Sequence, residues 1–165
     1  MAKPNIFDPH FEFSDDREGF RNRDAMVGKQ SGSERLGVTL YEVEPGSANC
    51  PYHYHFANEE LLIVVRGRPH LRTPDGWRQL DEGEVVVFPV GPRGAHQVVN
   101  RTEEPVRYLM ISEMRGPEIP VYPDSNKVGV REHASGSGKE GMRLNFVVDD
   151  AVDYWHGESE PEGPS

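Results

Sequence analysis

The chain has 165 residues, 28 of them acidic and 18 basic, for a formal net charge of −10, and a single cysteine. That balance repels a nucleic-acid backbone or an anionic membrane surface, no basic stripe offsets it, and no intrachain disulfide can form. With 35% hydrophobic residues but 17 glycines and 14 prolines, one domain of short strands joined by turns is favoured over a helix bundle.

Met1 to Gly32 is polar and weakly periodic, with Ile6, Phe7, Phe11, Phe13 and Phe20 as scattered anchors. It is expected to form an arm over the barrel or across a partner subunit, and Ser31-Gly32-Ser33 a hinge. Met1 to Asp16 has no apolar signal core, and no run in the sequence approaches the ~20 apolar residues of a membrane span. The protein is therefore expected to be soluble and cytoplasmic. Leu36 to Glu44 is a β-rich run stopped by Pro45-Gly46, and Tyr52 to Phe56 a short strand. Glu60 to Arg66 is a nearly continuous apolar strand ended by Gly67. Pro69 to Thr73 and Trp77 to Leu80 flank the turn Pro74-Asp75-Gly76 and read as a hairpin. Strands at Glu84 to Phe88, Gly94 to Asn100 and Pro105 to Glu113 follow, the last with Val106, Tyr108, Met110 and Ser112 on one face.

About eight strands at roughly ten-residue intervals predict an all-β sandwich or barrel. Beyond Met114 the chain becomes loop-rich. Pro117 to Pro123 is extended, Asp124-Ser125-Asn126 is a turn, Ala134 to Gly141 is a flexible loop, and Leu144 to Val148 is a strand or edge contact. The aromatics of Val152 to His156 are expected to dock on the barrel, ahead of a frayed acidic end from Gly157 to Ser165. The organisation predicted is an arm over residues 1–32, a barrel over 33–115 and an extension over 116–165 packing on it.

Chemistry concentrates in two stretches. His53 and His55 are two apart, so on a strand both imidazoles leave the same face, and Glu60 heads the next strand. Glu59 is the rival carboxylate; being adjacent, only one of the two can face inward. The second stretch, Gly83 to Asn100, supplies His96. Three imidazoles and a carboxylate suit a divalent transition metal, with Fe, Mn, Zn and Ni all admissible. Cys50 lies close by, most simply as a small residue filling a strand end.

Set side by side, Gly46, His53-Tyr54-His55, Glu60 and Gly67, followed by Gly83, Pro89-Val90-Gly91, His96 and Asn100, resemble the two motifs of the cupin superfamily. The departures are one extra residue between Gly46 and His53 and two between Gly91 and His96, both in loop regions. Leu36 to Gly46, the Pro51 to His55 core, Gly91 to Gln97 and Tyr122 to Gly129 further resemble a group of small single-domain bacterial cupins. The resemblance implies an all-β double-stranded β-helix, or jelly roll, with His53, His55, Glu60 and His96 as metal ligands. The six-residue spacing to Gly67 selects Glu60 over Glu59. Tyr41, Tyr52, Tyr54, Arg93, Asn100 and Tyr108 are candidates for the pocket or its rim. Alternation from His96 puts Val98 and Asn100 on its side and Gln97 opposite. His10, His70, His133 and His156 lack partners at ligand spacing and are taken as surface residues.

The expected function is a metalloenzyme acting on a small oxygenated molecule, of oxygenase, decarboxylase or isomerase type. The alternative is a binding or sensing module without turnover. Partners implied are a small-molecule ligand and a second copy in a homodimer, with the N-terminal arm as the exchange element; nucleic acid and membrane are not.

Overall fold

Side-chain alternation sets the sheets. In the strand Glu60–Arg66, Leu62 and Val64 are buried while Leu61, Ile63 and Val65 are only half-buried, the mark of a strand with one face on a core. The computed structural model describes residues 3–137, 139–160 and 163. Thirteen short strands form among them. In chain order they are β1 (Phe13–Asp15), β2 (Asn22–Ala25), β3 (Leu36–Val43), β4 (Tyr54–His55), β5 (Glu60–Arg66), β6 (His70–Thr73), β7 (Gly76–Gln79) and β8 (Val85–Phe88). β9 (Gln97–Val99), β10 (Val106–Glu113), β11 (Pro120–Tyr122), β12 (Lys127–Arg131) and β13 (Arg143–Val147) complete the set, and a single helical turn, α1 (Val27–Gln30), precedes β3. No described helix is long and apolar enough to cross a membrane.

The first layer is a six-stranded antiparallel sheet in the order β1-β2-β3-β10-β5-β8. The second has two parts, β13-β12-β11-β4 and β7-β6-β9, linked by the isolated pairing of His53 with His96. Between the layers lies the core. Val43, Leu62, Val64, Phe88, Val106, Tyr108 and Met110 come from the first sheet, and Leu71 and Val98 from the second. Each such aliphatic side chain contributes about 1.5–3 kcal/mol as an upper figure. Two antiparallel sheets closed around this core form the all-β architecture expected from the spacing of strands, in the jelly-roll form that the cupin resemblance implied.

Two glycines are dictated by the backbone. Gly67 ends β5 at φ +81°, and a Cβ there would meet Val106 Cγ1 at 2.8 Å. Gly94 closes the 3-10 turn Pro92–Gly94, and a Cβ there would lie 1.8 Å from the Pro89 carbonyl oxygen.

Several segments differ from the sequence expectation. Residues 13–25 add two strands to the edge of the main sheet within their own chain, β2 pairing with β3 from Asn22 opposite Val43 to Ala25 opposite Leu40. The hinge at Ser31 to Ser33 is the close of α1, whose Gly28 carbonyl accepts from Ser33 N at 2.9 Å. The segment after Met114 contributes β11 to the second layer, where it pairs with β4. The aromatic pair Tyr154 and Trp155, expected against the barrel, is 84% and 72% exposed. Of the expected frayed end, residues 161, 162, 164 and 165 lie outside the described residues, as do 1, 2 and, in the loop before β13, 138.

Candidate metal centre

Four elements converge at one end of the space between the sheets. His53 and His96 exchange both backbone hydrogen bonds, at 3.1 and 2.8 Å, which sets their side chains beside each other with ring centroids 4.7 Å apart. His55, two residues on, presents its ring to His53 edge-on at 4.8 Å. Glu60 reaches in from the start of β5, opposite Phe88 of β8 and Ser112 of β10. Glu59, one residue earlier, is exposed. His53, Glu60 and His96 each bring a ligand atom within 4.8 Å of the others. His55 joins through Glu60, its Nε2 being 3.4 Å from Oε2, while His96 Nε2 is 3.3 Å from the same oxygen.

The rings are oriented from behind. His53 Nδ1 donates to the Pro51 carbonyl and His96 Nδ1 to the Gly94 carbonyl, each at 2.9 Å. Those bonds fix the tautomer that leaves Nε2 unprotonated and facing the cavity. Phe88 stacks flat on His96, centroids 3.8 Å apart and planes 10° from parallel. Behind His55 stands Glu118, fully buried, with Oε2 3.6 Å from Nδ1. Glu118 is itself held by the amides of Ala57 and Ile119 and by the Asn58 side chain. A histidine backed by a buried carboxylate is the usual way to orient a metal-binding imidazole.

Burial holds His96 down to about pKa 4, with the nearby His55 adding to the effect. Burial, together with His96 and His55, puts His53 well below its ordinary value. Both are therefore neutral near pH 7, the form that binds metal. For His55 burial acts the same way, but the Glu118 carboxylate and then Glu60 outweigh it and raise its pKa. Burial raises Glu60, and Glu118 adds to that against the pull of His55. Cys50 Sγ is 3.7 Å from His53 Nδ1, and burial, then Glu60, push its thiol up to about 12.

The donor set fits a cation on its own evidence. His55 Nε2, Glu60 Oε2 and His96 Nε2 are buried without a hydrogen-bond partner. Orphaned buried polar atoms of this kind cost about 1–3 kcal/mol each. Three of them meeting around one point, one being a carboxylate oxygen, is a place where a positive ion satisfies every group. The cavity they line has a volume of about 210 Å³, and Thr39, Tyr41, Met110, Ser112, Tyr122 and Ser135 line it with them.

Of the residues expected to line the pocket, Tyr41 does. Tyr52 lies under the Arg72 guanidinium, 4.0 Å from its ring centroid. Tyr54 packs edge-on to Phe56 at 5.4 Å, and Arg93 is exposed on the turn before His96. Asn100 is fully buried but holds the backbone, donating to the Val43 and Glu104 carbonyls at 2.9 and 2.8 Å. Tyr108 sits in the core 5.5 Å from Tyr41. Glu118 and Tyr122 are the residues that sequence reasoning passed over. Tyr122 lies 6.0 Å from His53 with its ring 25° from parallel.

Residues 39–112 match the family profile described as Cupin domain. The matched stretch contains all four candidate ligands. Over residues 39–112 the chain is thus similar to cupin domains, a stretch that lies within the jelly roll. Among solved structures, a sugar phosphate isomerase of a cupin superfamily from Silicibacter pomeroyi is 24% identical, covering 91% of this chain and 95% of its own, with a TM-score of 0.74. A putative sugar phosphate isomerase from Acidithiobacillus ferrooxidans is 22% identical over 87% and 86%, TM-score 0.73. The polyketide cyclase RemF from Streptomyces resistomycificus is 22% identical over 68% and 79%, TM-score 0.56. At these identities the likeness is one of fold. No curated protein matches the sequence.

Proposed function

We propose that this chain is a metal-dependent enzyme acting on a small oxygenated molecule, with His53, His55, Glu60 and His96 holding a divalent transition ion. The observation that carries the reading is the meeting of His55 Nε2, Glu60 Oε2 and His96 Nε2, buried and unpartnered, in the lining of a cavity of about 210 Å³. Imidazole and carboxylate together admit Fe, Mn, Zn or Ni. Bound there, such an ion supplies Lewis acidity toward a substrate oxygen.

The chain's own residues do the rest. Glu118 orients His55, and the Pro51 and Gly94 carbonyls orient His53 and His96. The Thr39, Ser112 and Tyr122 side chains offer hydrogen bonds to a polar ligand, and Met110 offers it an apolar contact. A space this small admits a compact substrate or only the reactive end of a longer one. Since two neighbours of like fold carry the name sugar phosphate isomerase, isomerisation is the first reaction to test; oxygenation and decarboxylation of small acids, diketones and phenols follow.

The test begins with metal analysis of protein purified without chelating resin. Turnover assays and oxygen uptake with each candidate ion come next. Metal-dependent turnover lost in His96→Ala supports the proposal. Ligand-induced thermal shifts without turnover under any ion would replace the enzyme with a binding module.

A further inference from the structure

The C-terminal segment is ordered yet covers nothing. All five residues of β13 are exposed, and the strand lies at the open edge of its sheet. Leu144, Phe146, Val148, Val152, Tyr154 and Trp155 are 44–84% exposed. Its backbone is nevertheless fastened. β13 pairs with β12 over five positions, and Arg131 donates to the Leu144 carbonyl at 2.5 Å and to Asn145 Oδ1 at 2.7 Å. A well-fastened strand whose apolar side chains all face solvent is built for a partner.

A second apolar surface lies on the main sheet, on the face away from the core. Val87, Leu61 and Ile111 form one cross-strand row, and Val85, Ile63 and Leu109 the next. Val85 and Val87, on the open edge strand β8, are 55% and 49% exposed. The outward face of an antiparallel sheet is ordinarily polar; here two rows of aliphatic residues run to the edge.

We propose that the arm over residues 142–155 docks on this outward face of a second copy of the chain, and that exchange of two arms forms a two-fold dimer. One chain carries both halves of the contact, so an isologous pair covers all of them at once and closes. The area is sufficient. At about 150–250 Å² per aromatic side chain, the exposed parts of Phe146, Tyr154 and Trp155 amount to roughly 400 Å² per arm. The aliphatic residues add a comparable area, so two arms and their footprints exceed the roughly 1,600 Å² of a standard interface. This places the exchange element at the C-terminal end, where the sequence had pointed to the N-terminal one.

Sedimentation of the full chain tests it. The wild type is expected at twice the 18.6 kDa chain mass at micromolar concentration. An arm variant, Phe146→Ser with Trp155→Ser, and a face variant, Val87→Lys, are each expected to weaken self-association at least tenfold. Unchanged circular dichroism in both shows that the protomer is intact. An equimolar mixture of the two variants is expected to recover a heterodimer, because the intact arm of one meets the intact face of the other. A monomeric wild type would overturn the proposal, as would a dimer unmoved by both variants, or a mixture that fails to recover one.

Discussion

His53 and His96, 43 positions apart in the chain, form a hydrogen-bonded backbone pair: each amide donates to the other's carbonyl, at 3.1 and 2.8 Å. This one pairing stitches the two parts of the second sheet together and sets both imidazoles beside each other. Scaffold and site are thus separable, because the backbone contact does not depend on either side chain.

His53→Ala and His96→Ala should therefore lose stoichiometric metal while keeping the fold. Emission spectroscopy of bound metal with circular dichroism of the same samples checks this. Full metal retention in both variants would show that the ion, if any, sits elsewhere.

Glu118 acts through His55. Glu118→Gln preserves size but removes the charge that faces His55 Nδ1 at 3.6 Å. Loss of an orienting carboxylate of this kind costs roughly 10–100-fold in metal affinity. Competition against a chelator should show that drop, with Glu59→Gln, on an exposed neighbour of Glu60, unchanged.

Much of this site was legible in the sequence because a strand's period is two. His53 and His55 had to share a face and only one of Glu59 and Glu60 could turn inward; the resemblance to the cupin motif, with six residues before Gly67, chose the second. Met110 and Ser112, placed on one face of a late strand, do line the cavity. Glu118 could not be read the same way. It contacts the site because β11, two residues on, pairs with β4, Pro120 lying opposite His55, and no local period announces such a contact. Asn100 shows the converse. It sits on the same side as His96, yet its amide is spent on the Val43 and Glu104 carbonyls, so facing inward is not the same as reaching the ligand. The C-terminal aromatics were misplaced for a related reason: hydrophobicity marks Tyr154 and Trp155 as groups that gain from burial, but does not place them against the barrel, and both are exposed.

Gly94→Ala should destabilise severely, since its Cβ would lie 1.8 Å from the Pro89 carbonyl oxygen and the obstacle is backbone. A loss of about 3 kcal/mol or more is expected, in the range of severe overpacking. Thermal unfolding against the wild type measures it; a melting temperature within a degree or two would show that the turn can open.

Glu42 ties three strands together, accepting from Arg23 Nε at 3.1 Å and from Arg107 Nε at 2.6 Å. Burial opposes its ionisation, but the two guanidiniums outweigh it and lower the pKa below the ordinary 4.5. A depressed carboxylate contributes stability that is complete above its unfolded value and is lost as pH falls through the folded one. Denaturant unfolding should accordingly weaken below about pH 4.5, and Glu42→Gln should flatten part of that fall while costing about 1–3 kcal/mol near pH 7. An unaltered acid limb in the variant would assign the loss to other carboxylates.

The most direct test of the metal centre is an anomalous difference map from crystals of protein prepared without chelating agents, with data collected across the absorption edges of Mn, Fe, Ni and Zn. The predicted result is one strong peak among His53, His55, Glu60 and His96, about 2.0–2.2 Å from the ligand atoms. A map with no peak there, from protein that carries a full equivalent of metal elsewhere, would contradict it.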